Sequence, residues 1–145
     1  MKSLAFIGGL LVMAVGHAKQ VPNPYPHCFN QASTQYAVSE TLLSAIGCVE
    51  SRFNATAISP PNKDGSRDYG LMQINEGNLS YLGLTPRSVL DVCTNVRAGA
   101  RILSEKIRSH GSTWEAVGAY NAASSHKRIN YAWKVYNVMK TGVCG

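Results

Sequence analysis

The sequence predicts a mostly α (α+β) single domain with one small hairpin or irregular element near residues 58–75. Three observations predict it. Apolar residues recur at helical spacing in several separate stretches. Capping and stop residues bracket those stretches. Between them, Pro60-Pro61 forbids helix and Asp64-Gly65 signals a turn, so residues 54–67 read as loop. No internal repeat or low-complexity tract interrupts the pattern.

The first 18 residues read as an export signal rather than as fold. Met1-Lys2-Ser3 is a short positive start, Leu4 to Val15 is apolar, and Gly16-His17-Ala18 ends on a small residue. The apolar stretch is short for a membrane span; an uncleaved N-terminal anchor is the alternative. Residues 19–145 then form the folded domain, long enough to bury a core. No second segment of spanning length follows, so the mature chain is expected to carry no membrane span.

Residues 19–27, with Pro22, Pro24 and Pro26, predict an extended lead-in. A first helix is expected over 29–37, using Phe29, Ala32, Tyr36 and Ala37. Ser39 is an N-cap for a second helix, with Glu40 beside its positive end. Leu42, Ile46, Val49 and Phe53 repeat along its core face. Periodicity leaves residues 68–75 open between strand and irregular structure. Pro86 suits the first turn of a short helix over 86–90. Val96, Ala100, Leu103 and Ile107 mark a longer one over 95–109, stopped by Gly111. Ser112-Thr113-Trp114-Glu115 has capping-box form, with Ser112 at N-cap, and opens the next helix. Residues 124–128 break the pattern before a last helix over 129–140, with Gly142 past its end. Trp114 and Trp133, at helical spacing, are expected in the core.

Four cysteines, Cys28, Cys48, Cys93 and Cys144, remain after the signal. An even count in an exported chain points to two disulfides, with three pairings open. Their spacings fit no zinc pattern, and the four histidines show no ligand spacing, so no metal is expected. The net charge is +6, or +5 without Lys2; for most of these residues ordinary solubility accounts for it, and the functional reading is an anionic partner. For an exported chain that means a wall polymer or anionic lipid. The basic residues are dispersed and form no nucleic-acid motif, so nucleic acid is not expected as a partner.

The chemistry centres on Glu50 and Asp68, which stand 18 positions apart. Glycosidic cleavage uses a protonated carboxylic acid and, in many enzymes, a second carboxylate facing the developing positive charge. Glu50 falls near the C-terminal end of its helix, on a partly apolar face. Burial and the helix dipole there both disfavour its charged form, as a general acid needs. Asp68 follows a turn-rich loop, a more polar setting that suits the anion. Most helix glutamates are simply exposed, and an aspartate here can equally cap the next segment. Gln73 and Asn75 offer amides to sugar hydroxyls and acetamido groups, or to the backbone. Tyr69, Tyr120 and Tyr131 can pack on sugar faces or in the core.

Glu50-Ser51, the run Gly70-Leu71-Met72-Gln73-Ile74-Asn75, Ala119-Tyr120-Asn121-Ala122, and Tyr131-Ala132-Trp133-Lys134-Val135 occur in this order. Their order and spacing resemble the soluble lytic transglycosylase family across nearly all of residues 28–140. The chain is more narrowly similar to small exported members encoded with type III and type IV secretion, conjugation and pilus systems. Each motif is weak alone; four in order on one short chain are specific. Asn62 to Gly70 also resembles the hairpin of animal and egg-white type lysozymes, where the aspartate is the second catalytic carboxylate. Many lytic transglycosylases work with the glutamate alone.

The resemblance implies a lysozyme-like fold and a periplasmic, monomeric enzyme acting on peptidoglycan glycan strands without a cofactor. It implies cleavage between N-acetylmuramic acid and N-acetylglucosamine, with Glu50 as acid and then base, giving a 1,6-anhydro product. A muramidase using Glu50 and Asp68 with water is the alternative. A wall-binding part of a secretion apparatus is another, which the intact Glu50 argues against. By resemblance Ser51 orients Glu50 or contacts substrate, and Gln73, Tyr120, Asn121 and Tyr131 line the cleft. The family's usual Asn-Pro and the Gly after Ala-Tyr-Asn-Ala are here Asn54-Ala55 and Ala123. Cys48 and Cys144 look like additions to cysteines that relatives carry near Cys28 and Cys93. That favours the pairs Cys28–Cys93 and Cys48–Cys144.

Overall fold

The structure, a computed structural model, describes residues 18–145. The export-signal reading therefore lies outside the described residues, apart from Ala18. Among the described residues, six α-helices and one short hairpin build a mostly α, lysozyme-like fold. Helix α1 spans Pro26–Tyr36 and α2 spans Glu40–Ser51. The hairpin strands are β1, Asp68–Tyr69, and β2, Ile74–Asn75. Helix α3 is Leu79–Leu82, α4 is Val92–His110, α5 is Trp114–Asn121 and α6 is Ser125–Thr141. Helix α1 packs on α4 and α2, α2 packs on α6, and α5 is held between α4 and α6.

Helix ends follow their local chemistry, and several differ from expectation. Helix α1 starts earlier because Pro26 occupies the first turn, where its missing N–H goes unneeded. In the lead-in, Val21 is fully buried and the backbone N–H of Lys19 donates to Met139 O at 2.9 Å. In α2, Ser39 Oγ accepts from the Leu42 N–H at 3.2 Å, as the cap reading required. The helix stops at Arg52 and Phe53, whose φ values are +53° and +62°. Phe53 therefore leaves the helical stripe and meets Phe29 edge-on, centroids 6.0 Å apart.

Helix α4 begins before residue 95 because Asp91 accepts from the Thr94 N–H at 2.9 Å. The cap of α5 is Thr113, not Ser112: its Oγ1 accepts from the Ala116 N–H at 3.3 Å. No capping box forms, and Glu115 pairs with Arg128 instead. Residues 125–128 do not break the last helix; they are its exposed first turn, with Ser124 at the N-cap. Their polar composition marks solvent exposure rather than irregular backbone. The short helix expected over 86–90 is a 3₁₀ turn, Ser88–Leu90.

The core gathers Phe29, Leu43, Ile46, Met72, Leu103 and Val135, each fully buried. A core leucine or isoleucine truncated to alanine costs about 2–5 kcal/mol at such sites. Trp133 is not in it: the residue is 59 % exposed. Trp114 is half-buried, edge-on to Tyr136. Two disulfides close the fold, Cys28–Cys93 joining α1 to α4 and Cys48–Cys144 joining α2 to the segment after α6. They span 65 and 96 residues. Loop-closure entropy assigns each about 4–5 kcal/mol, the upper end for such bridges. Among the described residues, no helix is long and apolar enough to cross a membrane.

Candidate active site

The small hairpin covers residues 68–75, and the loop before it runs alongside from Ile58. Asp68 pairs with Asn75 and Tyr69 with Ile74, while Ile58 bridges to Tyr69 from the other side. Gly70 follows β1 with φ +74°, and a Cβ there would meet Asn95 Nδ2 at 2.3 Å. Both facts require glycine. Gln73 closes the turn at φ +50°, and its Nε2 donates to Gly70 O at 2.9 Å. Its amide thus holds the bend while the residue faces the cleft.

Asn95 is the residue that sequence reasoning missed. It is 1 % exposed, and all its hydrogen bonds run to backbone. Its Oδ1 accepts from the Met72 N–H at 2.7 Å. Its Nδ2 donates to Tyr69 O at 2.9 Å and Val89 O at 2.8 Å. One buried amide on α4 therefore pins the hairpin to the helical body. Its signal in the sequence is a polar residue one turn before Gly99 on the face that buries Val96 and Leu103.

A cleft of about 880 Å³ lies between the hairpin and the helices. Of the expected site residues, Glu50, Asp68, Gln73, Asn75, Tyr120 and Asn121 line it. Three lysines, Lys63, Lys106 and Lys127, stand on its walls and suit an anionic polymer. Ser51 and Tyr131 stand behind. Ser51 Oγ donates to Leu71 O at 2.7 Å and accepts from the Asn54 N–H at 3.1 Å. That hydroxyl ties the end of α2 to the hairpin. Tyr131, buried on α6, donates its hydroxyl to Glu50 Oε1 at 2.5 Å.

Burial dominates the electrostatics of Glu50. It pushes the carboxyl up from 4.5 to about 7, against the lowering effect of the Tyr131 hydrogen bond. The charge of Asp68 raises it further, and Lys134 lowers it. Burial leads here, and Glu50 stands in the last turn of α2 as expected. Tyr131 and Tyr120 stay neutral, each raised well above 10 by burial first and then by Glu50. Their rings stack with centroids 6.4 Å apart, and Tyr120 donates to Met72 O at 2.9 Å. The tyrosines thus brace the carboxyl on one side and the hairpin on the other.

Asp68 has a different environment. Its Oδ1 accepts from Asn75 Nδ2 at 2.9 Å, and its Oδ2 from Asn62 Nδ2 at 3.3 Å. Asn75 also takes the Gly77 N–H on its Oδ1 at 2.9 Å. Asp68 and Asn75 form a cross-strand pair and stiffen the hairpin mouth. The arrangement combines a buried, protonatable acid and a hydrogen-bonded carboxylate in one open cleft. Among the described residues, no group of three or more His, Cys, Asp or Glu side chains gathers to hold a metal.

Residues 27–135 match the family of the transglycosylase SLT domain. The chain belongs to this family. The match contains every site residue described above. The protein is 42 % identical over 117 residues to the invasion protein IagB of Salmonella typhimurium, covering 75 % of this chain and 72 % of that one. It is 38 % identical over 117 residues to protein IpgF of Shigella flexneri, covering 75 % and 76 %. A peptidoglycan-binding-like protein of Escherichia coli O157:H7 is 37 % identical over 125 residues, covering 77 % and 75 %. Within the family, this chain's Glu50 stands at the base of the cleft and its Tyr131 fixes that carboxyl from behind.

Proposed function

We propose that the protein is a peptidoglycan lytic transglycosylase with Glu50 as its acid and base. The observation that carries this reading is a single carboxyl, raised to about 7 by burial, facing an open cleft and held by Tyr131. A group titrating near neutrality serves both as proton donor and, after donation, as acceptor. Glu50 protonates the oxygen linking N-acetylmuramic acid to N-acetylglucosamine, and the C1–O bond breaks. The C6 hydroxyl of the same muramic sugar attacks C1 and gives its proton to the Glu50 carboxylate. The product is a 1,6-anhydro ring, and no water is consumed.

In this reading Asn121 and the amide oxygen of Gln73 meet sugar hydroxyls and acetamido groups, Tyr120 offers a ring face, and Asn75, whose amide hydrogens go to Asp68 and Ser66, holds the cleft wall. Asp68 chiefly shapes the hairpin, since both its oxygens accept amide hydrogens. No organic or metal cofactor enters any step. Export to the periplasm would place the chain beside its polymer and in an oxidising compartment suited to its disulfides. Opening local gaps in the wall for a secretion, conjugation or pilus machine is the proposed role, with the enzyme working as a monomer.

A second reading rests on the position of Asp68 in the same cleft, where its charge reaches Glu50. A muramidase would use that carboxylate and water. Mass spectrometry of fragments released from purified walls separates the two. Anhydro ends with activity kept in Asp68→Asn support the transglycosylase. Reducing ends, with activity lost in Asp68→Asn, replace it with the muramidase. Wall binding without any release would leave only a binding part of an apparatus.

A further inference from the structure

Helix α6 carries two apolar stripes. One faces the core through Tyr131, Val135 and Met139, all buried. The other runs Ile129, Ala132, Trp133 and Tyr136, at i, i+3, i+4 and i+7, and meets Trp114 of α5. This second stripe lines a groove of about 440 Å³. Trp133 and Ile129 on it are 59 % and 52 % exposed. The aromatic rings hold one another: Tyr136 stands edge-on to Trp133 at 5.4 Å and to Trp114 at 5.6 Å. The platform is therefore stiff, and a large aromatic face is left to solvent.

Two observations decide what covers it. The groove adjoins the cleft, because Arg128 lines both. Arg128 is fixed as the ridge between them, with Nε donating to Ala122 O at 2.9 Å and Nη1 to Glu115 Oε1 at 2.6 Å. That ion pair also neutralises the charged rim, so the groove asks for an uncharged ligand with a flat apolar face. A pyranose ring bearing an acetamido methyl has both properties. A glycan strand longer than the cleft must leave it, and Arg128 stands beside the Asn121–Ser124 end of the lining.

We propose that the Trp114–Trp133–Tyr136 groove is an accessory sugar site that binds the glycan strand beyond the catalytic cleft, with Trp133 as its stacking platform. The inference rests on the glycan reading of the cleft. It makes the protein prefer long strands over short ones, since only long strands reach both sites.

The test compares Trp133→Ala, Trp133→Phe and wild type on purified glycan strands and on a peptidoglycan tetrasaccharide. Trp133 is exposed, so a thermal melt within a few degrees of wild type establishes that the variant folds. The expected result is KM raised about fivefold or more on long strands in Trp133→Ala, with kcat kept and the tetrasaccharide unaffected. Trp133→Phe should restore most of the loss. Equal loss on both substrates, or none on either, overturns the site. So does a wild-type dimer that Trp133→Ala converts to monomer in sedimentation velocity, since a second copy would then own the groove. Binding is also read without catalysis. Glu50→Gln incubated with long strands should show a blue-shifted tryptophan emission that Glu50→Gln with Trp133→Phe lacks. Release of ends by Glu50→Gln at wild-type rate would refute the catalytic assignment alone, and an absent shift would refute the groove alone.

Discussion

Replacing Glu50 by glutamine should remove activity and, at alkaline pH, make the protein more stable. Burial raises the carboxyl from 4.5 to about 7 in the folded chain. The folded state therefore holds a proton that the unfolded chain releases between these values. Where the folded state binds more protons, stability falls as pH rises. The stabilising contribution is fully present below pH 4.5 and lost as pH climbs through about 7. A displacement of this size is worth about 3 kcal/mol. Most of it, about 2–3 kcal/mol, falls between pH 5 and pH 8.5. Glutamine keeps the shape and an oxygen for the Tyr131 hydroxyl, and it does not ionise. The stability of Glu50→Gln relative to wild type should thus rise by about 2–3 kcal/mol from pH 5 to pH 8.5, roughly 10 °C in Tm for a domain of this size. Urea unfolding of both proteins at the two pH values measures this, because every other titrating group cancels in the difference. Parallel stability profiles would refute the reasoning, since they would mean that water reaches the carboxyl and that it titrates normally.

Other expected outcomes follow from named contacts. Tyr131→Phe removes the hydrogen bond that lowers the Glu50 pKa, so the alkaline limb of the kcat/KM profile should move above about 7 as the rate falls; a limb moved to lower pH would contradict this. Asn95→Ala strands three backbone groups in the core and should cost about 3 kcal/mol or more in urea unfolding. A loss within 0.5 kcal/mol, roughly the level of ordinary surface changes, would mean that the hairpin is held by other contacts. The double variant Cys48→Ser with Cys144→Ser should lose about 3–5 kcal/mol, read as a lower urea midpoint beside the oxidised wild type. An unchanged midpoint would show that packing alone holds the end of the chain to α2.

The parts of the fold that were legible in the sequence depend on neighbours within about one helical turn. Ser39 caps α2 because its oxygen reaches an N–H three residues on. Asp91 caps α4 over an equally short reach. The preference for Ser112 over Thr113 failed because two adjacent hydroxyl residues offer the same cap, and the backbone conformation decides between them. The polar run Ser124 to Arg128 looks like a break in the sequence and is the start of α6. Hydrophobic periodicity carries no signal where every side chain faces water, and hydrogen bonds from Arg128 to Ser124 and Ala122 hold that turn.

The site is legible in its residue types but not in its mechanics, for a reason of distance along the chain. Tyr131 meets Glu50 across 81 positions, Tyr120 meets Met72 across 48, and Asn95 meets Tyr69 across 26. No periodicity reports such contacts. What sequence could supply was the demand: an acid that must hold a proton near neutrality needs burial. What the fold supplies is the means. Helix α2 ends under the hairpin, Asn95 pins the hairpin down, and Tyr131 takes the carboxyl from behind. Removal of any one of the three should expose Glu50 to water and lower its pKa, Tyr131 excepted. There the lost hydrogen bond acts the opposite way, because its donor favours the anion. Asn95→Ala and Tyr131→Phe are therefore expected to shift the alkaline limb in opposite directions, the first down and the second up. A common direction would mean that burial and hydrogen bonding do not compete at Glu50, and the physical basis of the assigned acid would fall.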